Sequence, residues 1–142
     1  MTVAIRTLAA AFALVALGCG TSSPPEYSVL SGTVTREGRP LAGIVVTFDP
    51  VPGASAKGNR AEGMTDERGY YALRTANLDR EGIQRGTYRV TLRMAGGESR
   101  TPPLPREYTI PSRSPLENVV VDRDPQTYDI AVVRPPVARA GR

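Results

Sequence analysis

Glycine and proline recur at short intervals through most of this chain, and their spacing leaves room only for short structural elements. The 142 residues include 14 glycines and 13 prolines. Between them, no stretch of helical length carries apolar residues at spacings of three and four, the pattern of an amphipathic helix. Apolar and polar residues alternate instead, as in strands with one buried face. The chain is therefore expected to be all-β.

Three segments show the alternation most clearly. In 87–94 the apolar side chains occupy the even positions, while threonine and arginine occupy the odd ones. Segments 44–49 and 128–132 alternate in the same way, with β-branched or aromatic residues on the face predicted to be buried. Weaker candidates lie at 29–35, 62–65, 70–75 and 116–121, and together these segments predict about seven strands.

Turn-forming residues separate the predicted strands. Segments 36–40 and 65–69 predict hairpin-like connections, and 51–60, 77–86 and 95–105 are expected to be loops. Because no helix is available to cover a parallel sheet, we predict two packed antiparallel sheets, an about seven-stranded β-sandwich. An open barrel is the second possibility.

The N-terminal segment differs from the rest. One basic residue, Arg6, precedes the apolar run from Leu8 to Leu17, and small and polar residues follow as far as Pro25. The run is too short to cross a bilayer, since a spanning helix needs roughly 20 apolar residues. The pattern is typical of an export signal, so residues 1–18 are predicted to be removed.

Cys19, the single cysteine, stands directly after this segment. The junction Ala16-Leu17-Gly18-Cys19 resembles the bacterial lipobox, in which a leucine, a small residue and then Gly or Ala precede a lipidated cysteine. Gly18 and Cys19 match that motif, whereas Ala16 and Leu17 stand at its leucine and small-residue places. The resemblance implies acylation of Cys19, for example by palmitate, and two or more acyl chains hold a protein firmly on a membrane. Cleavage after Gly18 without lipidation is the alternative.

These features predict four parts of the chain. Residues 1–18 are the lipoprotein signal, 19–27 hold the lipidated cysteine and a flexible tether rich in Ser and Pro, 28–133 form one β-sandwich domain, and 134–142 form a frayed tail. With only one cysteine, the domain has no disulfide and depends on packing for its stability.

Motifs within the domain resemble a known family. The sequences SGTVT at 31–35 and GRPLAG at 38–43 resemble the opening of carboxypeptidase regulatory-like domains. Segments 65–71 and 86–92 resemble the later hairpin and strand of that family. The resemblance covers 28–133 and implies a transthyretin-like Greek-key sandwich, used as an accessory, adhesion or interaction module without catalytic activity. The segments Arg106-Glu107-Tyr108 and Ser114-Pro115-Leu116 further resemble small lipoproteins abundant in planctomycete bacteria, which combine a lipobox with one such domain.

The absence of histidine excludes several kinds of enzyme. The chain contains no histidine, which most zinc catalytic sites, Ser-His-Asp triads and Cys-His pairs require. We therefore predict no catalytic residue, no metal site and no cofactor. A carboxylate-based or metal-assisted mechanism stays open: Asp122, Asp124 and Asp129 offer oxygen ligands suited to calcium, although an ordinary turn is the preferred interpretation. Asp66 and Glu67 are likewise assigned to a hairpin turn.

Lysine, tyrosine and the distribution of charge suggest few other activities. Lys57, the only lysine, lies in a predicted loop, where an internal isopeptide crosslink is improbable. Tyr88 and Tyr128 fit core faces, while Tyr70, Tyr71 and Tyr108 lie near loops, where one or two could be exposed. The formal net charge is +4, with basic residues scattered along the chain, so no nucleic-acid partner is predicted.

Taken together, the sequence predicts a lipid-anchored, extracytoplasmic β-sandwich of a bacterial cell envelope. Its expected role is that of a non-catalytic structural or protein-interaction module, with an envelope protein or polysaccharide as partner. A carbohydrate-binding accessory module is the alternative.

Overall fold

The computed structural model describes residues 27–53, 58–96 and 104–134. Nearly all of their regular structure is β, which confirms the predicted all-β sandwich. The strands are β1 (Tyr27–Ser28), β2 (Leu30–Arg36), β3 (Arg39–Pro40), β4 (Ile44–Pro50), β5 (Ala61–Met64), β6 (Tyr70–Ala72), β7 (Arg74–Thr75), β8 (Arg80–Glu81), β9 (Ile83–Gln84), β10 (Gly86–Met94), β11 (Val119–Val121), β12 (Gln126–Thr127) and β13 (Ile130–Val132). In these ranges one 3-10 helix, Arg106–Thr109, lies between β10 and β11.

The first sheet is antiparallel throughout, in the order β11-β10-β4-β5-β7-β8. Its longest ladder joins β10 to β4, from Tyr88 opposite Pro50 to Met94 opposite Ile44. The apolar side chains predicted to share a face do so, since Val90 and Phe48 are both fully buried.

The second sheet is built around β2. On one edge of β2, β12 and β13 run parallel to it in a single register, with Gln126 opposite Leu30 and Ile130 opposite Val34. On the other edge, β3 and β6 pair with it antiparallel. The prediction of antiparallel sheets is therefore wrong for one edge of the second sheet. After β11 the chain crosses to the second sheet and runs alongside β2 in the same direction, instead of turning back beside β11.

Two continuous segments pass from one sheet to another. β6 pairs with β2 in the second sheet, whereas its continuation β7 pairs with β5 in the first. β9 pairs with β1 in a separate two-stranded sheet, whereas β10, which follows it, pairs with β4 in the first sheet. The prediction of a loop over 77–86 was wrong in part, since β8 and β9 lie within it. Gly82 separates these two-residue strands, so the sequence shows no sustained alternation there.

The hydrophobic core lies between the two sheets. Most of its buried residues come from the two sheets, Ile83 comes from β9, Leu41 and Leu73 come from connections, and Tyr108 comes from the 3-10 helix. The full set is Leu30, Val34, Leu41, Ile44, Val46, Phe48, Ala61, Tyr71, Leu73, Ile83, Tyr88, Val90, Leu92, Tyr108, Val119, Val121, Ile130 and Val132. Tyr108 also ties the helix to the end of β13, because its hydroxyl accepts a hydrogen bond from Val133 N at 2.9 Å. The helix thus covers one margin of the core.

Both predicted turns are confirmed, although the first closes a hairpin between β2 and β3 and not with the strand predicted at 44–49, which lies in the first sheet. Between β2 and β3, Glu37 and Gly38 have φ values of 51° and 77°, as a two-residue turn with two left-handed positions requires. Between β5 and β6, one carboxylate oxygen of Asp66 accepts hydrogen bonds from the N–H groups of Arg68 and Tyr70, each at 2.9 Å. The assignment of Asp66 to a structural turn is therefore correct.

Candidate functional site

Several sequence-predicted positions lie outside the described residues. Cys19, the predicted site of lipidation, is among them, as are the rest of the tether before Tyr27, Lys57, and the C-terminal segment after Arg134. Lipidation of Cys19 therefore stays a prediction.

The acidic residues considered as calcium ligands bond to backbone instead. Oδ1 of Asp124 accepts a hydrogen bond from Val29 N at 2.8 Å. Oδ1 of Asp129 accepts two, from Thr33 N at 2.8 Å and Thr33 Oγ1 at 2.9 Å. Across the described ranges, no three His, Cys, Asp or Glu side chains form a group able to hold a metal ion. Asp124, before β12, and Asp129, before β13, thus fasten this edge of the second sheet to the first half of β2 and the residue before it.

A buried tyrosine explains why Asp129 is needed there. The parallel register places Thr33 N where it would pair with the carbonyl oxygen of Tyr128. That oxygen instead accepts a 2.6 Å hydrogen bond from the hydroxyl of Tyr71. The N–H of Thr33 donates its hydrogen bond to the carboxylate of Asp129. We call this arrangement, made by Gly32, Thr33, Tyr71, Tyr128 and Asp129, the Tyr71 lock.

Gly32 makes the lock possible. A Cβ atom at this position would overlap the carbonyl oxygen of Tyr128 and come within 3.1 Å of the Tyr71 ring. Burial raises the pKa of Tyr71 far above its ordinary value, so its hydroxyl keeps the proton that it donates. The lock thus fixes three adjacent strands of the second sheet in one register.

The buried ring of Tyr71 lies beneath an exposed surface on the outer side of the second sheet. Successive side chains of a strand point to opposite faces, so Tyr71 enters the core with 1% exposure while Tyr70 is 48% exposed. Tyr70 pairs in register with Thr33, and Ala72 with Ser31. We call this surface the Tyr70 face; its residues are Ser31, Thr33, Tyr70, Ala72, Thr127 and Asp129.

The Tyr70 face differs chemically from the outer side of the first sheet. There, ion pairs cover the strands: Arg60 Nε lies 2.6 Å from Asp49 Oδ1, and Arg93 contacts Glu62 at 3.6 Å. On the Tyr70 face a single aromatic ring stands among small hydroxyl and methyl side chains and one carboxylate, that of Asp129, which accepts hydrogen bonds from Thr33. An exposed ring of this kind can stack against a flat ligand with a polar rim, while the neighbouring hydroxyls offer hydrogen bonds.

The tyrosines largely follow the sequence prediction. Tyr88 is fully buried and donates to Gln84 O at 2.8 Å, and Tyr128 packs against the core. Tyr71 and Tyr108 are buried and bond to the backbone, whereas Tyr70 is the exposed member of the group near loops. The sequence did not reveal the link between Thr33 and Asp129, because it depends on a parallel pairing across 96 positions.

Comparison of the chain with models of known protein families, with curated proteins and with solved structures finds no match. Among the residues that the structure describes, no helix has the length and apolar character needed to cross a membrane.

Proposed function

We propose that this protein is a lipid-anchored, extracytoplasmic β-sandwich that serves as a non-catalytic structural or protein-interaction module of a bacterial cell envelope. The observation that carries the proposal is the junction Gly18-Cys19, placed directly after the apolar run that ends at Leu17. An export signal followed by an acylated cysteine accounts for this order of residues.

The position of the first strand supports an anchored domain. β1 begins at Tyr27, and the chain from Cys19 to Tyr27 spans at most about 28 Å when fully extended. A lipid on Cys19 would therefore keep the sandwich within one domain diameter of the membrane. The end of the sheet at β1 would face the lipid, and the hairpin between β2 and β3 would point away from it.

The side-chain chemistry supports a binding role over a catalytic one. No histidine is present in the sequence. One carboxylate oxygen of each of Asp66, Asp124 and Asp129 accepts a hydrogen bond from a backbone N–H group. The resemblance to carboxypeptidase regulatory-like domains belongs to this proposal: the motif residue Gly38 lies in the hairpin turn where a left-handed φ is needed.

Replacing the cysteine tests the anchor. The Cys19→Ser chain is expected to move from the membrane fraction to the soluble fraction and to lose labelling by an alkyne fatty acid, while the circular dichroism spectrum stays β. Ser22→Ala, three residues along, is the matched control and should remain in the membrane. If the Cys19→Ser chain stays membrane-bound, or if the mass of the native protein shows an unprocessed or unacylated N-terminus, the anchor is refuted.

The Tyr70 face favours a second candidate function, a carbohydrate-binding accessory module. Sugar rings stack on exposed aromatic rings, and hydroxyl groups beside the ring satisfy their polar edges. Isothermal titration of envelope polysaccharides is expected to show binding that Tyr70→Ala abolishes and Tyr70→Phe retains, since stacking needs the ring and not its hydroxyl. Absence of binding by the unaltered chain eliminates this candidate and leaves the anchored module intact.

A further inference from the structure

A basic cleft opens at the end of the sandwich where the hairpin between β2 and β3 meets the end of β13. Its volume is about 260 Å³, and its lining residues are Arg36, Glu37, Arg39, Pro40, Leu41 and Arg134. Three of the six residues are arginines and one is acidic. Pro40 and Leu41, the latter only 5% exposed, form the apolar part of the lining.

The register of the strands explains why arginines from distant parts of the chain meet here. Val34 and Ile130 are paired and buried, and two residues later Arg36 is paired with Val132. Because side chains return to the same face every second residue, Arg36 continues the core-facing row of β2. Arg134 continues the corresponding row beyond β13. The two arginines thus stand just past the last apolar layer, at the mouth of the core.

The third arginine is placed by the hairpin. Arg39 lies directly opposite Arg36 in the β2–β3 ladder, and like charges at such positions repel one another. Within the described ranges neither Arg39 nor Arg134 belongs to an ion pair, whereas Arg60 and Arg93 are paired with carboxylates on the outer side of the first sheet. Three guanidinium groups against one carboxylate give the lining of the cleft an excess of positive charge.

We propose that this cleft is a binding site for an oxyanion, the carboxylate or phosphate group of an external ligand. The guanidinium group offers parallel N–H donors that match both groups and form charge-assisted hydrogen bonds with them. The cleft is smaller than the pockets of roughly 300–1,000 Å³ that enclose drug-sized molecules, so it fits one charged group or a single sugar-sized unit. Glu37 opposes the ligand's charge and limits the affinity.

The site lies far from the start of the domain. From Tyr27 to Arg36 the chain runs through β1 and β2, a length of about 30 Å at the rise of a strand. Where the chain is tethered as proposed above, the cleft would face away from the membrane that holds it. Oxyanion binding itself does not depend on the tether.

The test is titration of the isotope-labelled full chain, held in a neutral detergent, with inorganic phosphate, with glucuronate and with vesicles containing phosphatidylglycerol. The proposal predicts saturable shifts of the Gly38 and Leu41 amide signals with phosphate, glucuronate or both. Glucose, a neutral sugar, should cause none. A response to the vesicles alone would assign the site to a lipid headgroup and contradict binding of a ligand away from the membrane.

Four variants with unchanged spectra elsewhere make the test specific. Arg39→Gln and Arg134→Gln should each weaken binding about tenfold or more, as expected for loss of a charge-assisted hydrogen bond, while Glu37→Gln should tighten it. Arg123→Gln is the control: it removes the same charge at the opposite end of β2, beside the Asp124 contact with Val29, and should leave binding unchanged. Equal weakening by Arg123→Gln, shifts spread over all basic residues, or no saturable shift would overturn the proposal.

Discussion

The Tyr71 lock predicts a large effect from removal of one oxygen atom. In Tyr71→Phe the ring still fills its place in the core, so packing is preserved. The Tyr128 carbonyl oxygen loses the donor that contacts it at 2.6 Å, and Thr33 N cannot replace it while bonded to Asp129. An acceptor left without its partner at this part-buried position costs about 1–3 kcal/mol of unfolding free energy.

Tyr70→Phe is the matched control for this experiment. It makes the same chemical change one residue earlier, but on a side chain that is 48% exposed. Its effect should stay within about 0.5 kcal/mol, the usual range for surface substitutions.

Urea unfolding followed by circular dichroism measures both variants. With a denaturant slope of about 1 kcal/mol/M for a domain of this size, the midpoint for Tyr71→Phe should fall by about 1–3 M and the slope should not change. If the two variants unfold at the same urea concentration, the hydroxyl of Tyr71 does not hold the sheet together and the reasoning about the lock is wrong.

Three further predictions concern stability. Gly32→Ala should cost about 3 kcal/mol through overlap with the Tyr128 backbone, whereas Gly96→Ala, with no atom within 4 Å of the new methyl group, should be neutral; equal melting temperatures would contradict this. Asp124→Ala should cost about 1 kcal/mol by releasing Val29 N, and Asp122→Ala, which loses only an exposed ion pair, less than half of that; urea midpoints that rank the other way would count against the backbone contact. Burial raises the pKa of Tyr88 from 10.0 to about 12 and that of Tyr71 further, so above pH 10 the unfolded chain binds fewer protons. Stability should be full below pH 10 and fall towards pH 12, by about 1.4 kcal/mol per pH unit for each tyrosine; urea midpoints that stay constant across this window would refute it.

The sequence predicted those parts of the fold that depend on local pattern. The alternation in 87–94 and 44–49 predicted β10 and β4 with the correct core-facing residues. In a strand whose two faces differ in exposure, apolar and polar residues alternate with a period of two. Glycine with acidic neighbours gave both hairpin turns, since the left-handed φ of Gly38 is a local requirement. These features need no knowledge of the partner strand.

Features that depend on distant partners could not be predicted. The parallel placement of β12 and β13 beside β2 is set by the return path of the chain and leaves no local signal. Asp129 therefore looked like an ordinary turn or calcium residue, although it bonds to Thr33. The basic cleft was missed for the same reason: arginines are scattered along the sequence, and only the register of β2 and β13 brings Arg36 and Arg134 to one place.

The parallel edge also determines how the domain would respond to mechanical force. The chain enters beside the start of β2 and leaves at the end of β13, and these neighbouring strands point the same way. Tension between the two termini would slide one strand lengthwise along the other, so the bonds of Val29, Ser31 and Thr33 to the last strand would bear the load together instead of opening singly. A domain pulled at both ends would therefore resist stretching through shear between β2 and the strands beside it.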